Sequence, residues 1–274
     1  MRPMQSTGDK YDLAEPDLKS FTRSSIRTKV MLTLLDGGKT VGDLERIMNT
    51  RASTILHSVK SLMDSRLVEK KRLEYILTSI GRVQALILDD LVNTIVTINE
   101  HSGFWLSHDM NAIPVELQKR IGMLGQGEMI RDSPETPLKS LEYFIENVIQ
   151  SKEILGVSPV VVTGYGQMIF MAVNNGSKVE LILTNPVLNA IISEHGRETF
   201  NEFLKRENFK LFYIEGDVKI AFTVTEAFLN LGLYRLDGSY DLGMDLIYTG
   251  EKSIEWGKML YSHYRSQARQ LNEV

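Results

Sequence analysis

The polar side chains best suited to contacting nucleic acid are concentrated between Arg51 and Lys60. This segment, RASTILHSVK, combines two cations with small hydroxyl side chains and an imidazole. Cations neutralise phosphates, and short hydroxyl side chains allow close approach to base edges and hydrogen bond to them. The residues assigned to this contact are Thr40, Arg51, Ser53, Thr54, His57, Ser58 and Lys60. Each alone also fits a solvated helix face, so the assignment depends on their shared position.

A second cationic run, Glu69-Lys70-Lys71-Arg72, lies between two short apolar segments. Leu67-Val68 precedes it, and residues 73–77 follow it with the period-two alternation of a strand. At the tip of such a hairpin, Lys70, Lys71 and Arg72 are predicted to contact the phosphate backbone of DNA. A solvated turn is the alternative interpretation of the same charges.

The sequence contains no set of residues that indicates catalysis or metal binding as clearly as the polar segments above indicate nucleic-acid contact. The chain has no cysteine, which excludes disulfides, thiolate metal sites and cysteine nucleophiles. It also has no P-loop, no G-x-S-x-G and no H-E-x-x-H sequence. His101, His108 and Asp109 have no compact ligand spacing, so a His-Asp hydrogen bond that fixes the connector is the preferred interpretation. We therefore expect no catalytic residue, no metal and no cofactor.

The elements that position the polar residues follow from helical spacing of apolar side chains. One amphipathic helix spans Ser24 to Asp36 and ends at Gly37-Gly38, and a second opens at Thr40 with Asp43 completing a capping box. Asn49-Thr50 makes a turn, with Thr50 expected to cap the third helix. The side chains expected to face inward are Leu44, Ile47 and Met48 in the second helix and Ile55, Val59, Leu62 and Met63 in the third. Helix, turn, helix and β hairpin in this order predict a winged helix-turn-helix, whose third helix enters the DNA major groove.

Length and charge suggest two domains with different partners. From residue 18 to residue 80 there are 12 Lys and Arg against 6 Asp and Glu, and from residue 81 onwards 17 against 25. A basic N-terminal module on an acidic body fits a nucleic-acid reader. No signal peptide is recognisable and no apolar run reaches the roughly 18 residues of a membrane span, so we expect a cytoplasmic protein without a membrane partner.

A long helix is predicted from Ser79 to about His101, with a wide apolar face that includes Val83, Ile87, Leu91 and Ile95. This face fits a dimer contact, with packing on its own domain as the alternative. We prefer the homodimer.

Alternating strands and helices, a meander and a final helix predict a C-terminal α/β domain with a mixed sheet. Strands are expected over residues 153–162, 179–184, 210–214, 218–224, 228–234 and 241–248. Helices are expected over 138–148, after Asn185-Pro186 with an interruption at Gly196, and over 253–271. Residues 125–137 are expected to be a loop, with Thr136 capping the next helix. A small-molecule effector is expected at strand ends, near Thr163, Tyr165, Thr184 and Asn185. The sequence Gly164-Tyr165-Gly166 alone is only weak support for a dinucleotide site, and a turn is preferred there.

The string RASTILHSVKSLMDSRLVEK, followed by YILTSIG, resembles the ArsR-like winged helix family of prokaryotic regulators. The likeness lies in the Ser/Thr-rich helix, the Leu67-Val68 turn and the Leu-Thr-x-x-Gly sequence that ends at Gly81. It implies a recognition helix, a wing and DNA binding. The chain departs from the family at Ser65-Arg66, where glycine usually precedes the leucine. Its wing also lacks a Gly or Asn turn, which predicts a short wing.

The remaining chain resembles regulators of methanogenic archaea. The matching residues are Trp105, His108, Asp109, Ile113, Pro114, Arg120, Ile121, Gly122 and Leu124, and then residues 236–241, 255–261 and Tyr264. This resemblance implies a filament- or methanogenesis-regulator-type transcription factor with its own sensor domain. Related sensor domains look like a degenerate phospholipase D fold. That activity needs paired His-x-Lys motifs, and none of the five histidines has lysine two positions on.

The sequence therefore predicts an α+β multidomain protein: a winged helix-turn-helix over residues 18–80, a dimerisation helix and connector over 81–137, and an α/β regulatory domain over 138–274. The expected function is that of a sequence-specific transcriptional regulator that binds double-stranded DNA as a homodimer under the control of a small molecule or a protein. Two alternatives are an enzyme with an α/β catalytic domain targeted by the winged helix, and a winged-helix module that binds protein. The enzyme is disfavoured because the sequence has no recognisable set of catalytic residues. The protein-binding module is disfavoured because the predicted recognition surface is polar and basic.

Overall fold

The computed structural model describes residues 6–162 and 164–273, apart from the side chains of residues 20–22. The chain forms two compact units, Met1–Leu91 and Val92–Val274. The first contains α1 (Thr7–Thr22), α2 (Ser25–Thr33), α3 (Val41–Met48), α4 (Ala52–Asp64), β1 (Val68–Lys71) and β2 (Glu74–Leu77). The helix α5 (Ser79–Glu100) begins in this unit and continues into the second.

The helices of the first unit begin where the sequence provides caps. Ser24 accepts a hydrogen bond from the backbone N–H of Arg27 at the start of α2. At α3, the Thr40 hydroxyl accepts from the Asp43 N–H while the Asp43 carboxylate accepts from the Thr40 N–H, which is the predicted capping box. A short 3₁₀ turn follows α2 and ends at Gly37, whose φ of 112° is accessible to glycine at little cost.

Three details of the predicted helices are wrong. Thr50 does not cap α4, because its hydroxyl donates to the Met48 carbonyl instead and Arg51 occupies the cap position. Ile47 and Met63 are exposed, whereas both were expected to face inward. The core of this unit is instead built from Val30, Met31, Leu34, Leu44, Ile55, Val59, Leu62, Leu67, Val68, Tyr75 and Ala85.

The hairpin β1–β2 is antiparallel and closes with the two-residue turn Arg72-Leu73, since Lys71 pairs with Glu74. The predicted short connection is therefore confirmed. A third segment joins it, because Lys39 and Tyr75 exchange both backbone hydrogen bonds. This extra pairing fixes the hairpin against the chain that leads into α3.

In the second unit, the chain from α5 to the sheet runs through short helical segments. These are α6 (Ser102–Ser107), a 3₁₀ turn at Met110–Ala112, α7 (Val115–Gln118) and a 3₁₀ turn at Ile121–Leu124. The next strand, β3 (Glu128–Arg131), lies in the segment expected to be a loop. That expectation is wrong because β3 pairs antiparallel with β9, more than one hundred residues later.

The sheet of this unit has eight strands in the order β10-β6-β5-β4-β7-β8-β9-β3. The strands are β4 (Glu153–Ser158), β5 (Lys178–Thr184), β6 (Phe209–Ile214), β7 (Ile220–Thr225), β8 (Leu229–Leu233), β9 (Met244–Tyr248) and β10 (Arg269–Leu271). The pairs β4–β5 and β5–β6 are parallel, and the others are antiparallel. The predicted mixed sheet is thus confirmed.

Five helices pack on this sheet: α8 (Lys139–Gln150), α9 (Tyr165–Asn174), α10 (Asn185–His195), α11 (Arg197–Leu204) and α12 (Glu251–Arg265). Gly196 separates α10 from α11, as predicted. Thr136 does not cap α8, because Leu138 holds the cap position with a φ of 76°. The final helix ends at Arg265 rather than near residue 271, because residues 269–271 form β10 and pair with β6.

Two apolar cores lie on opposite faces of the sheet, since alternate residues of a strand point to opposite sides. In β5, Ile182 belongs to one core, whereas Val179 and Leu183 belong to the other. The first core contains α12 and the connector, and the second contains α8 to α11. Both faces of the sheet are therefore covered.

Candidate nucleic-acid interface and interior cavity

One side of α4 exposes most of the polar residues singled out in the sequence. Arg51, Ser53, Thr54, His57 and Lys60 are all exposed. The opposite side of α4 enters the core through Ile55, Val59 and Leu62. Because the two sets separate by helical spacing, the apolar contacts that hold α4 in place also direct its polar face outward.

Two side chains fix the position of α4 relative to its neighbours. The Glu45 carboxylate of α3 accepts a 2.6 Å hydrogen bond from the Ala52 N–H, one of the free backbone donors at the start of α4. Arg27 of α2 donates to the Ser61 hydroxyl at 3.0 Å. The exposed face of α4 is therefore carried by a braced helix, and this positioning role of Glu45 and Arg27 was missed in the sequence.

Two of the predicted contact residues are placed differently. Ser58 is only 5% exposed and lies on the core side of α4, so its assignment to the contact face was wrong. Helical spacing explains this, since Ser58 lies three residues after Ile55 and four before Leu62, and all three share one side of the helix. Thr40 is half-buried, and its hydroxyl is engaged in the capping box, where it also donates to Asp43 at 2.7 Å.

The hairpin exposes Lys70, Lys71 and Arg72, but their charges are partly balanced. Lys71 stands opposite Glu74 in the register of the two strands, and Glu69 lies in β1 as well. Lys70 and Lys71 belong to β1 itself, so only Arg72 lies in the turn, in the left-handed conformation with φ of 58°. The hairpin therefore presents a modest cationic excess at its end.

A second candidate site is a cavity of about 100 Å³ inside the second unit. Its walls are mainly apolar and come from β4 to β7, α8, α9 and α10, including Val157, Met168, Leu181 and Phe222. A small polar group lines the same cavity: Thr223, Asn230, Tyr165, Tyr240 and Asp245. An apolar cavity with a few convergent polar groups is the usual form of a small-molecule site.

The electrostatics of the polar end are dominated by Asp245. Burial raises the pKa of Asp245 to about 6, the Asn230 side chain opposes that shift, and the charges of Asp132 and Asp241 add to it. Burial also raises the pKa of the Tyr165 and Tyr240 hydroxyls, and the negative charge of Asp245 raises both further. Because the charge of Asp245 acts on the hydroxyls of Tyr165 and Tyr240, these three side chains lie near one another in the cavity lining.

Of the predicted effector residues that the structure describes, only Tyr165 lines this cavity. Thr184 and Asn185 are not among its lining residues; Thr184 precedes α10 as its cap residue. Thr163 lies outside the described residues. Sequence reasoning missed Asp245, Asn230 and Tyr240, although an aspartate inside the apolar strand sequence MDLIY was a usable signal.

The residues shared with the methanogen-type pattern have structural roles. The Trp256 indole donates to the Leu117 carbonyl at 3.0 Å, and the Tyr264 hydroxyl donates to the Ala112 carbonyl at 2.5 Å. His108 is buried, contacts the Phe104 carbonyl through Nδ1 at 2.8 Å and stacks on the Phe104 ring. The predicted His-Asp hydrogen bond is wrong, because the Asp109 carboxylate accepts from Asn111 instead.

The described part of the chain offers neither a metal site nor a membrane span. No group of three or more histidine, aspartate or glutamate side chains within 6–162 and 164–273 is arranged to hold a metal ion. Over the same ranges, no helix combines the length and the apolar character needed to span a membrane.

Comparison with known proteins gives two matching family models. One describes the N-terminal domain of the methanogenesis regulatory protein FilR1 and matches residues 15–96. The other describes the FilR1 middle domain and matches residues 137–267. The methanogenesis regulatory protein FilR1 of Methanothrix harundinacea (strain 6Ac) is 33% identical over 268 residues. These residues make up 97% of this chain but 60% of FilR1, so the chain spans about three fifths of that relative's length.

Two solved structures share part of the architecture at low identity. TrmBL2, an archaeal chromatin protein described as showing a novel mode of DNA binding, has a TM-score of 0.43 and 15% identity over 96% of this chain and 100% of its own. Nuc, a phospholipase D family member from Salmonella typhimurium, has a TM-score of 0.41 and 10% identity over 54% of this chain and 100% of its own. At these scores neither likeness carries an inference.

The family relationship rests on the two domain models, which together match most of the chain, and on the identity to FilR1. The relative is named as a regulatory protein, and both matching models describe domains of that protein. Through its N-terminal and middle domains, the chain belongs to the family of the methanogenesis regulatory protein FilR1, an archaeal regulator.

Proposed function

We propose that this protein is a transcriptional regulator that binds double-stranded DNA through an ArsR-like winged helix-turn-helix. The observation that carries the proposal is the exposed face of α4, where Arg51, Ser53, Thr54, His57 and Lys60 lie together on a helix braced by its neighbours. In this proposal α4 is the recognition helix. Its hydroxyl and imidazole side chains contact base edges, and its two cations contact phosphates. Such a protein acts where the chromosome lies, so we assign it to the cytoplasm.

The hairpin β1–β2 is the wing in this proposal. It follows α4 directly and ends in Arg72, with Lys70 and Lys71 in the strand before it. Since Glu69 and Glu74 offset part of this charge, the wing adds electrostatic affinity and little base recognition. Sequence specificity then depends mainly on α4.

A homodimer is the second part of the proposal. Along α5, Val83, Ile87, Leu91 and Ile95 recur every four residues and are all exposed. Ala85 and Gly81, on another side of the helix, are buried. Packing on its own unit therefore uses a different face of α5, and the exposed stripe supports a contact with a second copy. Two-fold pairing would set two recognition helices roughly 34 Å apart, one turn of DNA.

Control by an effector is the third part. The name of the relative, a methanogenesis regulatory protein, supports a regulatory role for this chain. The cavity of the second unit offers an interior site with apolar walls and a polar end. We assign the effector site to this cavity.

DNA binding is tested with a charge-matched pair of triple variants. Replacing Lys70, Lys71 and Arg72 by alanine is expected to weaken DNA binding and to lower the slope of log affinity against log salt concentration by roughly 3 per protomer, about one for each phosphate that is no longer neutralised. Fluorescence anisotropy with an operator fragment selected from genomic DNA measures both quantities.

The control replaces three exposed lysines of the second unit, Lys139, Lys178 and Lys252, by alanine. This variant has the same change in net charge but should retain the salt slope of the parent chain. If both variants lose equal affinity, net charge and not the hairpin governs binding. If the parent chain binds no DNA fragment, the proposed function is wrong.

A further inference from the structure

Asp245 is the unusual residue of the cavity, because it is a carboxylate without a cationic partner among the described residues. It is the second residue of β9, opposite Ile130 of β3. The groups that influence its ionisation are Asn230, Asp132 and Asp241, and none of them is a lysine or an arginine. Arg235 is instead paired with Asp241. Asp245 is partly buried, and a carboxylate that gives up water without gaining a counter-ion loses free energy that a cation supplied from outside would recover.

The residues around Asp245 favour a positively charged ligand over an anion. Asp132 and Asp241 make the potential at this end of the cavity more negative. Tyr165 and Tyr240 line the cavity beside the carboxylate, and their ring faces attract cations. An anionic ligand would meet carboxylates here without a compensating positive group.

Asn230 marks the same end of the cavity, because its side chain lies close enough to Asp245 to lower the pKa of that carboxyl. It is only 6% exposed, lines the cavity, and its Nδ2 has no well-formed hydrogen bond to any described residue. A buried amide N–H without a partner gives up the hydrogen bond that it makes to water in the unfolded chain, which is unfavourable. The Asp245 carboxylate, reoriented by a bound cation, would accept a hydrogen bond from this N–H.

The size and walls of the cavity limit the rest of the ligand. A cavity of about 100 Å³ is smaller than the roughly 150 Å³ that accommodates benzene in an engineered protein, so the ligand has only a few heavy atoms. Val157, Met168, Leu181 and Phe222 supply apolar walls, which favour alkyl groups.

We propose that the cavity binds a small organic ammonium ion carrying alkyl groups, with Asp245 as the counter-ion, Tyr165 and Tyr240 beside the cation, and the apolar walls around the alkyl part. This inference names the chemical class of the effector and so rests on the effector role assigned to the cavity above.

The test uses three probes with one carbon skeleton and different charge: isobutylamine, isobutanol and isobutyrate. Each is titrated into the full chain without DNA, and binding is followed by the rise in Tm and by calorimetry at about pH 8, above the pKa of Asp245 of about 6. Isobutylamine should raise Tm in a saturable manner and release heat on binding, and the alcohol and the carboxylate should bind at least ten times more weakly. Equal responses to all three probes would overturn the proposal.

Two variants locate the site. Asp245→Asn should lose the preference for the amine, whereas Asp237→Asn, which changes an exposed hairpin carboxylate outside the cavity, should keep it. Ala221→Leu adds volume to the cavity wall while retaining Asp245, and should abolish amine binding too. Amine binding that persists in both Asp245→Asn and Ala221→Leu would place the ligand elsewhere and refute the assignment.

This experiment separates the inference from the proposed function. Because no DNA is present, saturable binding of the amine would stand even if the chain bound no operator. Conversely, specific DNA binding together with no amine binding would retain the regulator and remove only the ligand class.

Discussion

The raised pKa of Asp245, a carboxyl group in the cavity lining, makes the free energy of unfolding of the second unit depend on pH. Asn230 opposes the rise in its pKa, and burial together with the charges of Asp132 and Asp241 outweighs that opposition. Since the folded-state pKa of about 6 exceeds the unfolded value of about 3.9, the folded chain binds this proton more tightly. The free energy of unfolding should therefore fall as pH rises from about 4 to about 6, and not fall further from this group.

Asp245→Asn removes this penalty, because an amide does not ionise. Relative to the parent chain, the variant should gain roughly 2–3 kcal/mol in free energy of unfolding between about pH 4 and about pH 7, since each pKa unit corresponds to about 1.36 kcal/mol. Urea denaturation over that pH range measures the difference. Hydrogen bonds from Ser239 lower the pKa of Asp237, so this carboxylate stabilises the folded parent chain as pH rises. Relative to the parent chain, Asp237→Asn should therefore lose free energy of unfolding as pH rises. A difference between Asp245→Asn and the parent chain that does not change with pH would refute the expectation.

Arg66 is held in a conformation that its side chain disfavours. Its φ is 60°, in the left-handed region, and it stands where ArsR-like sequences usually have glycine. Arg66→Gly is therefore expected to raise the free energy of unfolding of the first unit by about 0.5–1 kcal/mol, a partial gain because glycine also adds freedom to the unfolded chain.

Arg46→Gly makes the same exchange inside α3 at an exposed position, and it should destabilise the chain by about 1 kcal/mol. Thermal unfolding of the two variants compares the signs directly. Equal destabilisation by both exchanges would indicate that the Arg66 side chain makes contacts that outweigh its backbone strain.

Among the secondary-structure elements, α5 depends on its first turn. Thr78 donates to the Arg66 carbonyl at 2.7 Å and accepts from the Gly81 N–H at 3.1 Å, and so it ties the start of α5 to the turn before β1. At Gly81 a Cβ atom would stand 1.9 Å from the Leu67 carbonyl oxygen. The Leu-Thr-x-x-Gly sequence is thus explained by a capping threonine and a glycine that lets two backbones approach.

Gly81→Ala should consequently destabilise the first unit by about 3 kcal/mol or more, because backbone atoms on both sides must move. Gly42→Ala, in the first turn of α3, is the control: its Cβ would meet only the Thr40 hydroxyl at 3.8 Å, and alanine has the better helix propensity. Hydrogen exchange of α4 and α5 amides measures the loss within that unit. Comparable protection in the Gly81 variant and the parent chain would contradict this account of the helix start.

The elements predicted correctly from sequence were those with strong local signals. The periodicity of α2, α3 and α4, the capping box at Thr40 and Asp43, and the helix break at Gly196 depend on residues close in sequence. The strands β3 and β10 were missed because each is short and lies at a sheet edge. Their stability depends on pairing with β9 and β6, and no local pattern reports a partner so far along the chain.

Side-chain roles were predicted less well than elements. Ser58 and its neighbours on α4 are similar in type, and only the packing of the helix decides that Ser58 is buried while His57 is exposed. The cavity was harder still, since Tyr165, Asn230 and Asp245 come from three elements that meet only in the folded sheet. The Thr184 and Asn185 assignment followed a general rule about strand ends, and the lining residues of the cavity lie elsewhere.

In the molecule as a whole, basic residues predominate in the N-terminal unit, acidic residues predominate in the second unit, and exposed apolar residues line α5 between them. The net charge is positive from residue 18 to residue 80 and negative after it. In the proposed regulator, an acidic body would limit nonspecific adhesion to DNA, and binding would concentrate on the basic unit. Where the sequence passes from one unit to the other, α5 exposes an apolar stripe that a monomer would leave in water.

The stripe on α5 leads to a prediction about assembly. Val83 and Ile87 are both more than half exposed, so aspartate at these two positions should not disturb the core of either unit. In a homodimer paired through α5, however, the double variant Val83→Asp/Ile87→Asp would bury four carboxylates at the contact without partners. Sedimentation equilibrium should then show a dimer for the parent chain and a monomer for the variant at micromolar concentration. Leu236→Asp, at an exposed leucine of the Leu236-Asp237-Gly238 turn, should remain dimeric.

Because a monomer engages only one half-site, the double variant Val83→Asp/Ile87→Asp should also lose affinity for a full operator while keeping its affinity for an isolated half-site. A parent chain that is monomeric, or a variant that stays dimeric with an unchanged Tm, would remove α5 from the dimer contact.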